Sequence, residues 1–258
     1  MLRALRIAIL LYVLAFVAAG TLIDMQEATN WDAPLRVVVY PVAGDRSDSV
    51  QRYLDGLTTE DFTAVESFLS REAERYSIPL EKPVEIILAA ERGITMPMIE
   101  RSPSRLQIIL WSLRMRWKSM LLAWDSEAVA PDIMLYAVYH DPASNPVLEG
   151  STALRKGLIA IAHLFAEDEQ SDGNTIVTAH ELLHTLGATD KYSLETLLPD
   201  FPDGYFEPEQ KPLHPQRFAE IMAGRLALSS SESTMPESLR YVRVGRSTAA
   251  EIGWAPAQ

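Results

Sequence analysis

The stretch from His180 to Asp190 reads HELLHTLGATD. It closes a run from about Thr175 to Leu186 in which Glu181 is the only full charge, so the run is expected to be a helix buried nearly all round. A buried helix that carries an ionisable Glu and two His incurs a desolvation cost that packing does not return. Metal binding supplies a reason for it. His180 and His184 stand one turn apart on one helix face, which lets both imidazoles reach a single ion at about 2.0–2.1 Å. Glu181 falls beside them, toward the place of a metal-bound water. A carboxylate there can take the proton of a water whose pKa the metal lowers. Gly187, three residues after His184, is where a left-handed turn would end the helix, and Asp190 would then fold back toward the metal.

The HExxH core alone arises by chance in a chain of this length on the order of one time in a hundred. Gly187, Asp190 and the buried helix make the signal more specific. The bland reading, two core histidines and a helix-embedded Glu with other partners, stands beside it. Two imidazoles and a carboxylate with an open position suit zinc and also describe non-haem iron sites. The adjacent Glu181 and the His spacing favour zinc, with one catalytic ion.

The eleven-residue pattern, HExxHxxGxx followed by Asp, resembles that of the metzincin clan of zinc endopeptidases, in the Asp form of its snapalysin-like members. The clan also carries a methionine turn beneath its metal, and Glu220-Ile221-Met222-Ala223-Gly224 has the local look of one, with Met222 thirty-two residues after Asp190. The resemblance implies zinc held by His180, His184 and Asp190, Glu181 as general base, Met222 under the site, and a peptide or protein substrate. It implies an α+β fold: a mixed twisted β-sheet with helices above a cleft, an active-site helix, and a smaller irregular C-terminal subdomain. Residues 35–187 would form the upper subdomain and 188–258 the lower. The likeness is close over the metal helix, its exit and the candidate Met-turn; elsewhere it is only an order of elements.

Two departures carry expectations. Asp190 in place of a third His adds negative charge, which should depress the water's pKa less and shift the activity optimum to alkaline pH. No tyrosine stands two residues after Met222, which leaves Tyr192 or Tyr241 as oxyanion donor; each also reads as a packing tyrosine. Glu195, Glu207 or Glu209, in a thermolysin-like arrangement, and His214 remain as other third ligands.

Upstream of the metal helix, β-branched runs at Leu35 to Val42 and Val84 to Ala89 read as strands, as do the apolar runs Ile133 to Tyr139 and Leu158 to Phe165. In the resembling family an edge strand ahead of the metal helix pairs with substrate, and Leu158 to Phe165, with His163 near its edge, is assigned that place. His163 also reads as a structural strand histidine. A helix opens at Thr59 and stops before Pro79, with Phe62, Val65, Leu69 and Tyr76 at helical spacing. A longer helix is expected to start at Ser102-Pro103, with Leu106, Ile109, Leu110, Leu113, Trp117, Met120 and Trp124 forming one stripe. That stripe is expected to face the core, leaving Arg105, Arg114, Arg116 and Lys118 on a solvated back. The alternative lays the helix on an anionic membrane surface. Thr248 and Glu251 read as a capping box for a short last helix ending at Gly253.

Length and composition set the outer bounds. A chain of 258 residues, 48% hydrophobic and 22% charged, folds around a sizeable core. A net charge of -12 argues against nucleic-acid binding. The absence of cysteine excludes disulfides, thiolate metal sites and a cysteine nucleophile. Arg3 and Arg6 precede an uncharged apolar run from Ile7 to Ile23, expected to be a cleaved signal peptide or an N-terminal membrane anchor spanning residues 1–23, with a linker over 24–34. Either places the domain in the cell envelope, facing outward, or secreted. Acidic turns at Glu167-Asp168-Glu169 with Asp172, and at Asp200 with Asp203, offer oxygen ligands for a structural calcium without matching a calcium-loop spacing. Two further functional classes stay open: a catalytically silent zinc-binding scaffold of the envelope, and a zinc hydrolase acting on a small amide or cell-wall peptide.

Overall fold

A computed structural model of the protein describes residues 26–90, 94, 96–97, 104–125, 131–148, 151–154 and 158–256. β-branched and aromatic residues alternate along the first strand: Val37 and Val39 point to one side of the sheet, Val38, Tyr40 and Val42 to the other, and all five are buried. A strand buried on both faces belongs inside a parallel sheet covered by helices on each side. Strand β1 (Leu35–Ala43) indeed pairs in parallel with β2 (Val84–Leu88) and with β3 (Ile133–His140). Strand β5 (Ile159–Phe165) adds in parallel to β3, and the short β4 (Thr152–Leu154) closes the edge antiparallel to β5, giving the order β2-β1-β3-β5-β4. The fold is thus a mixed α/β arrangement with four parallel strands.

One face is covered by helices α1 (Asp48–Gly56), α2 (Thr63–Arg75, entered through a 3-10 turn at Thr59–Phe62) and α4 (Ser171–Thr185). Val65, Phe68 and Leu69 of α2 share the main core with Ile176, Ala179, Leu182 and Leu183 of α4. Helix α3 (Arg105–Asp125) covers the opposite face, placing Trp111 and Met115 against Val38, Tyr40 and Tyr136. The rest is mostly irregular: two-residue strands β6 (Ala219–Glu220) with β9 (Val242–Arg243), β7 (Leu226–Ala227) with β8 (Ser233–Thr234), and a last helix α5 (Arg246–Glu251). Buried Glu72 of α2 joins the two halves: it accepts from Val244 N at 3.0 Å and pairs with Arg71 and Arg75.

Several expectations change. The strand Leu158 to Phe165 is interior; the edge is β4, too short to be read from the sequence. Helix α1 is also new. Ser102 and Pro103 lie outside the described residues; α3 starts at Arg105, where Ser104 and Gln107 bond reciprocally as a capping box. The stripe Leu106, Ile109, Leu110, Leu113, Trp117 and Met120 faces outward rather than to the core. Apolar residues stand on both sides of α3, so periodicity alone cannot choose its inner face; the sheet takes the side of Trp111, Met115 and Ser119, whose Oγ lies 2.9 Å from the Tyr136 hydroxyl. Thr248 and Glu251 do not cap α5: its N-cap is Gly245, and both side chains reach distant partners. Within the presumed linker, Trp31 is buried and donates from Nε1 to Ile252 O at 2.8 Å.

The transmembrane expectation is corrected. Among the described residues, no helix is long and apolar enough to cross a membrane. Arg3, Arg6 and the run from Ile7 to Ile23 themselves lie outside the described residues.

Candidate metal centre

The position of α4 is set before any chemistry. Asn174, buried in its first turns, accepts from Phe165 N at 2.9 Å and donates to Phe165 O at 2.8 Å, tying the helix to the end of β5. At the other end Gly187 has φ 110°, Gly187 N bonds to His184 O and Ala188 N reaches back to Leu183 O. Those two bonds form a Schellman motif, which needs a residue without Cβ strain at that φ. The chain therefore turns sharply after His184, and residues 188–191 pass back beneath the helix.

His180 and His184 present ring centroids 4.6 Å apart, nearly perpendicular at 83°. His180 Nδ1 lies 2.9 Å from Ile221 O, and His184 Nδ1 lies 2.8 Å from Ala188 O. A carbonyl oxygen only accepts, so each Nδ1 carries the proton. In the neutral ring the lone pair is then on Nε2, and both Nε2 atoms face one oxygen: Asp190 Oδ1 is 3.1 Å from His180 Nε2 and 3.2 Å from His184 Nε2. Two lone pairs and a carboxylate oxygen repel at that range unless each ring takes a second proton or a cation sits among the three. Bonds of about 2.0–2.1 Å to a tetrahedral ion separate its ligand atoms by about 3.3 Å. The donor set and its spacing therefore fit a divalent metal.

Glu181, 4% exposed, completes the group: His180, Glu181 and His184 bring one ligating atom each within 4.8 Å of one another. Its Oε2 is buried and without a hydrogen-bond partner. Burial pushes the Glu181 carboxyl above the ordinary range, the two histidines pull it back, and Asp190 adds to the rise. Asp190 moves oppositely: burial raises it, but the His180 and His184 contacts prevail and hold it well below the usual carboxylate range. His184 is disfavoured as a cation by burial, yet Asp190, Ala188 O and Glu181 together raise its pKa.

The irregular C-terminal part supports this group from below. Met222 is fully buried, and the carbonyl ahead of it is the one that holds His180. Its own carbonyl accepts from Lys191 N at 3.0 Å, beside Asp190. The turn is held by its own first residue, to which sequence reasoning assigned no role: buried Glu220 accepts from Met222 N at 2.6 Å, Ala223 N at 3.0 Å, Gly245 N at 3.1 Å and Thr248 Oγ1 at 2.7 Å. Glu251, expected as a helix cap, and Lys191, not singled out, also support the group. Glu251 accepts from Thr189 N at 2.9 Å and from the buried Lys191 ammonium at 2.8 Å, so both neighbours of Asp190 are fixed to α5. Only the fold brings these pairs together, across about sixty residues of chain.

Of the two tyrosines, Tyr192 is half-buried, and its phenol is held above its ordinary pKa by burial and then by the charges of Asp190 and Glu181. Tyr241 is exposed on the 3-10 turn Leu239–Tyr241. The other third-ligand candidates are engaged or outside: Glu207 pairs with Arg217, His214 Nε2 lies 3.1 Å from the Tyr205 hydroxyl, and Glu195 and Glu209 are exposed. His163 Nδ1 lies 2.9 Å from His140 Nε2, away from the α4 pair. Among the described residues, neither acidic turn brings three ligating atoms together as the α4 group does.

No protein-family model matches this chain, and no curated protein does.

Proposed function

We propose that this protein is a zinc-dependent endopeptidase, with His180, His184 and Asp190 holding the ion and Glu181 as general base. One observation carries the reading: two Nε2 atoms, aimed by carbonyl bonds on the opposite ring nitrogens, converge on Asp190 Oδ1 beside a buried carboxylate oxygen that nothing else uses. A structural ion pair would account for Asp190 but not for an unpartnered Glu181 on the same face.

A zinc ion bound there supplies a Lewis acid and lowers the pKa of a coordinated water. The carbonyls of Ile221 and Ala188, accepting from the two Nδ1 atoms, keep both rings in the ligating tautomer. Glu181 accepts a proton at its carboxylate, and its burial strengthens its hold on that proton, suiting later delivery to a leaving amine. Tyr192 is the better placed phenol to donate to the oxygen on which charge develops. Among the described residues the antiparallel strand β4 stands at the edge of the sheet beside β5, where an extended peptide could add as a further strand, which favours a peptide substrate. The metzincin resemblance is supported by the metal helix beneath a mostly parallel sheet, the turn at Gly187 and the buried Met222, with the adjoining carbonyl on His180.

Cleavage of casein or a peptide library by the wild type and by Glu181→Gln tests this. The wild type should cleave, and the variant should retain metal while losing activity by at least about a hundredfold. Equal activity of the two rejects Glu181 as base. Metal binding without cleavage by the wild type favours a zinc-binding scaffold.

A further inference from the structure

Helix α3 has two apolar faces, and the sheet uses only one. Trp111 and Met115 are buried against it, while Leu106 is 65% exposed, Trp117 is 63% exposed, and Ile109, Leu110, Leu113 and Leu121 are each exposed by at least 46%. At about 100° per residue these six fall on one continuous stripe. An exposed stripe of this kind marks an interaction surface.

The charges indicate what covers it. The chain as a whole carries -12, yet α3 has no acidic residue before its last, Asp125, and carries Arg105, Arg114, Arg116 and Lys118. On the helical wheel Arg114 stands on one shoulder of the stripe, next to Leu121, and Arg116 on the other, next to Ile109. Lys118 lies just beyond Arg114. A stripe of large apolar residues and a Trp with cations on both shoulders is the pattern of a helix lying in a lipid interface, its rings and alkyl groups in the acyl boundary and its cations at the headgroups. Four basic residues exclude a crossing, in keeping with the absence of a membrane-crossing helix among the described residues.

We propose that α3 docks this protein onto the surface of an anionic phospholipid bilayer, lying in the plane of the interface. Helix α4 covers the opposite face of the sheet, so docking through α3 leaves the metal helix on the side away from the lipid. The proposal stands independently of the peptidase reading.

Vesicle binding of the full chain tests it, with vesicles of phosphatidylglycerol and phosphatidylcholine beside vesicles of phosphatidylcholine alone. Three variants are compared with wild type: Leu113→Glu/Trp117→Glu, Arg114→Glu/Lys118→Glu, and Trp117→Phe on vesicles with brominated acyl chains. All retain residues 1–25, so any binding through that segment is common to every arm. The wild type should prefer anionic vesicles and weaken with salt, and each Glu pair should lower affinity by about tenfold or more. Brominated lipid should quench wild-type fluorescence, and Trp117→Phe should remove a clear part of that quenching without disturbing the fold. Undiminished binding by the Glu variants, with quenching unchanged by Trp117→Phe, overturns the proposal. So does a lipid-free dimer in sedimentation that Leu113→Glu/Trp117→Glu disperses, since the stripe then belongs to a second copy.

Discussion

The carbonyl of Ile221 accepts from His180 Nδ1 at 2.9 Å, joining the residue before Met222 to the first histidine of the metal helix across forty-one positions of chain. The turn that buries Met222 therefore also orients a candidate ligand. Met222→Leu, nearly volume-conserving, should cost less than about 1.5 kcal/mol, whereas Met222→Ala should cost about 2–5 kcal/mol and weaken metal binding as the turn relaxes. Urea unfolding of the metal-free protein, followed by zinc titration, checks both effects. Unchanged zinc affinity in a clearly destabilised Met222→Ala would separate the turn from the site.

Asp190 is held through its neighbours as well as by the turn at Gly187. Glu251 fixes Thr189 and Lys191, and loss of a supporting contact of this kind typically costs 10- to 100-fold in metal affinity. Glu251→Ala should show a loss within that range, and Lys191→Met a comparable one, with His180 and His184 intact. Competition with a chromophoric chelator reads the affinity directly.

Gly187, at φ 110°, closes the Schellman motif behind His184. Gly187→Ala should cost at least about 1–2 kcal/mol and displace Asp190 from the two histidines. A shift in the thermal midpoint with zinc stoichiometry below one per chain is the expected pair of results.

Burial raises the Glu181 pKa, which fixes the sign of a pH effect in the metal-free protein. With the folded pKa above the unfolded one, Glu181's contribution is fully present below the ordinary carboxylate value, about 4.3, and is lost as pH rises through the folded pKa. Metal-free Glu181→Gln should therefore unfold at a higher temperature than metal-free wild type near pH 8, with the gap closing below about pH 4. Thermal scans across that range test it, and a gap that widens in acid has the wrong sign.

The site was legible where its chemistry is local. His180, Glu181 and His184 sit within one and a half turns, and the Gly187 exit is a local backbone requirement, so spacing alone placed them. The roles of Glu220, Glu251, Lys191 and Thr248 could not be read, because each depends on a contact far away in sequence: Glu220 with Gly245 and Thr248, and Glu251 with Thr189 and Lys191. Thr248 and Glu251 show the hazard directly: at capping-box spacing, they serve Glu220 and the Asp190 loop instead. For the fold, long apolar runs gave β1, β2, β3 and β5. The three-residue β4 carries too little pattern to see, and α3, apolar on both sides, offered no periodicity to say which face the sheet would take.

The most direct measurement is the metal content of the full chain, by mass spectrometry after purification in zinc and again after dialysis, for wild type beside Asp190→Ala and His184→Ala. The account predicts one zinc per wild-type chain that survives dialysis and is lost from both variants. A wild type that holds no metal at neutral pH, or an Asp190→Ala that holds zinc as tightly as wild type, would contradict it.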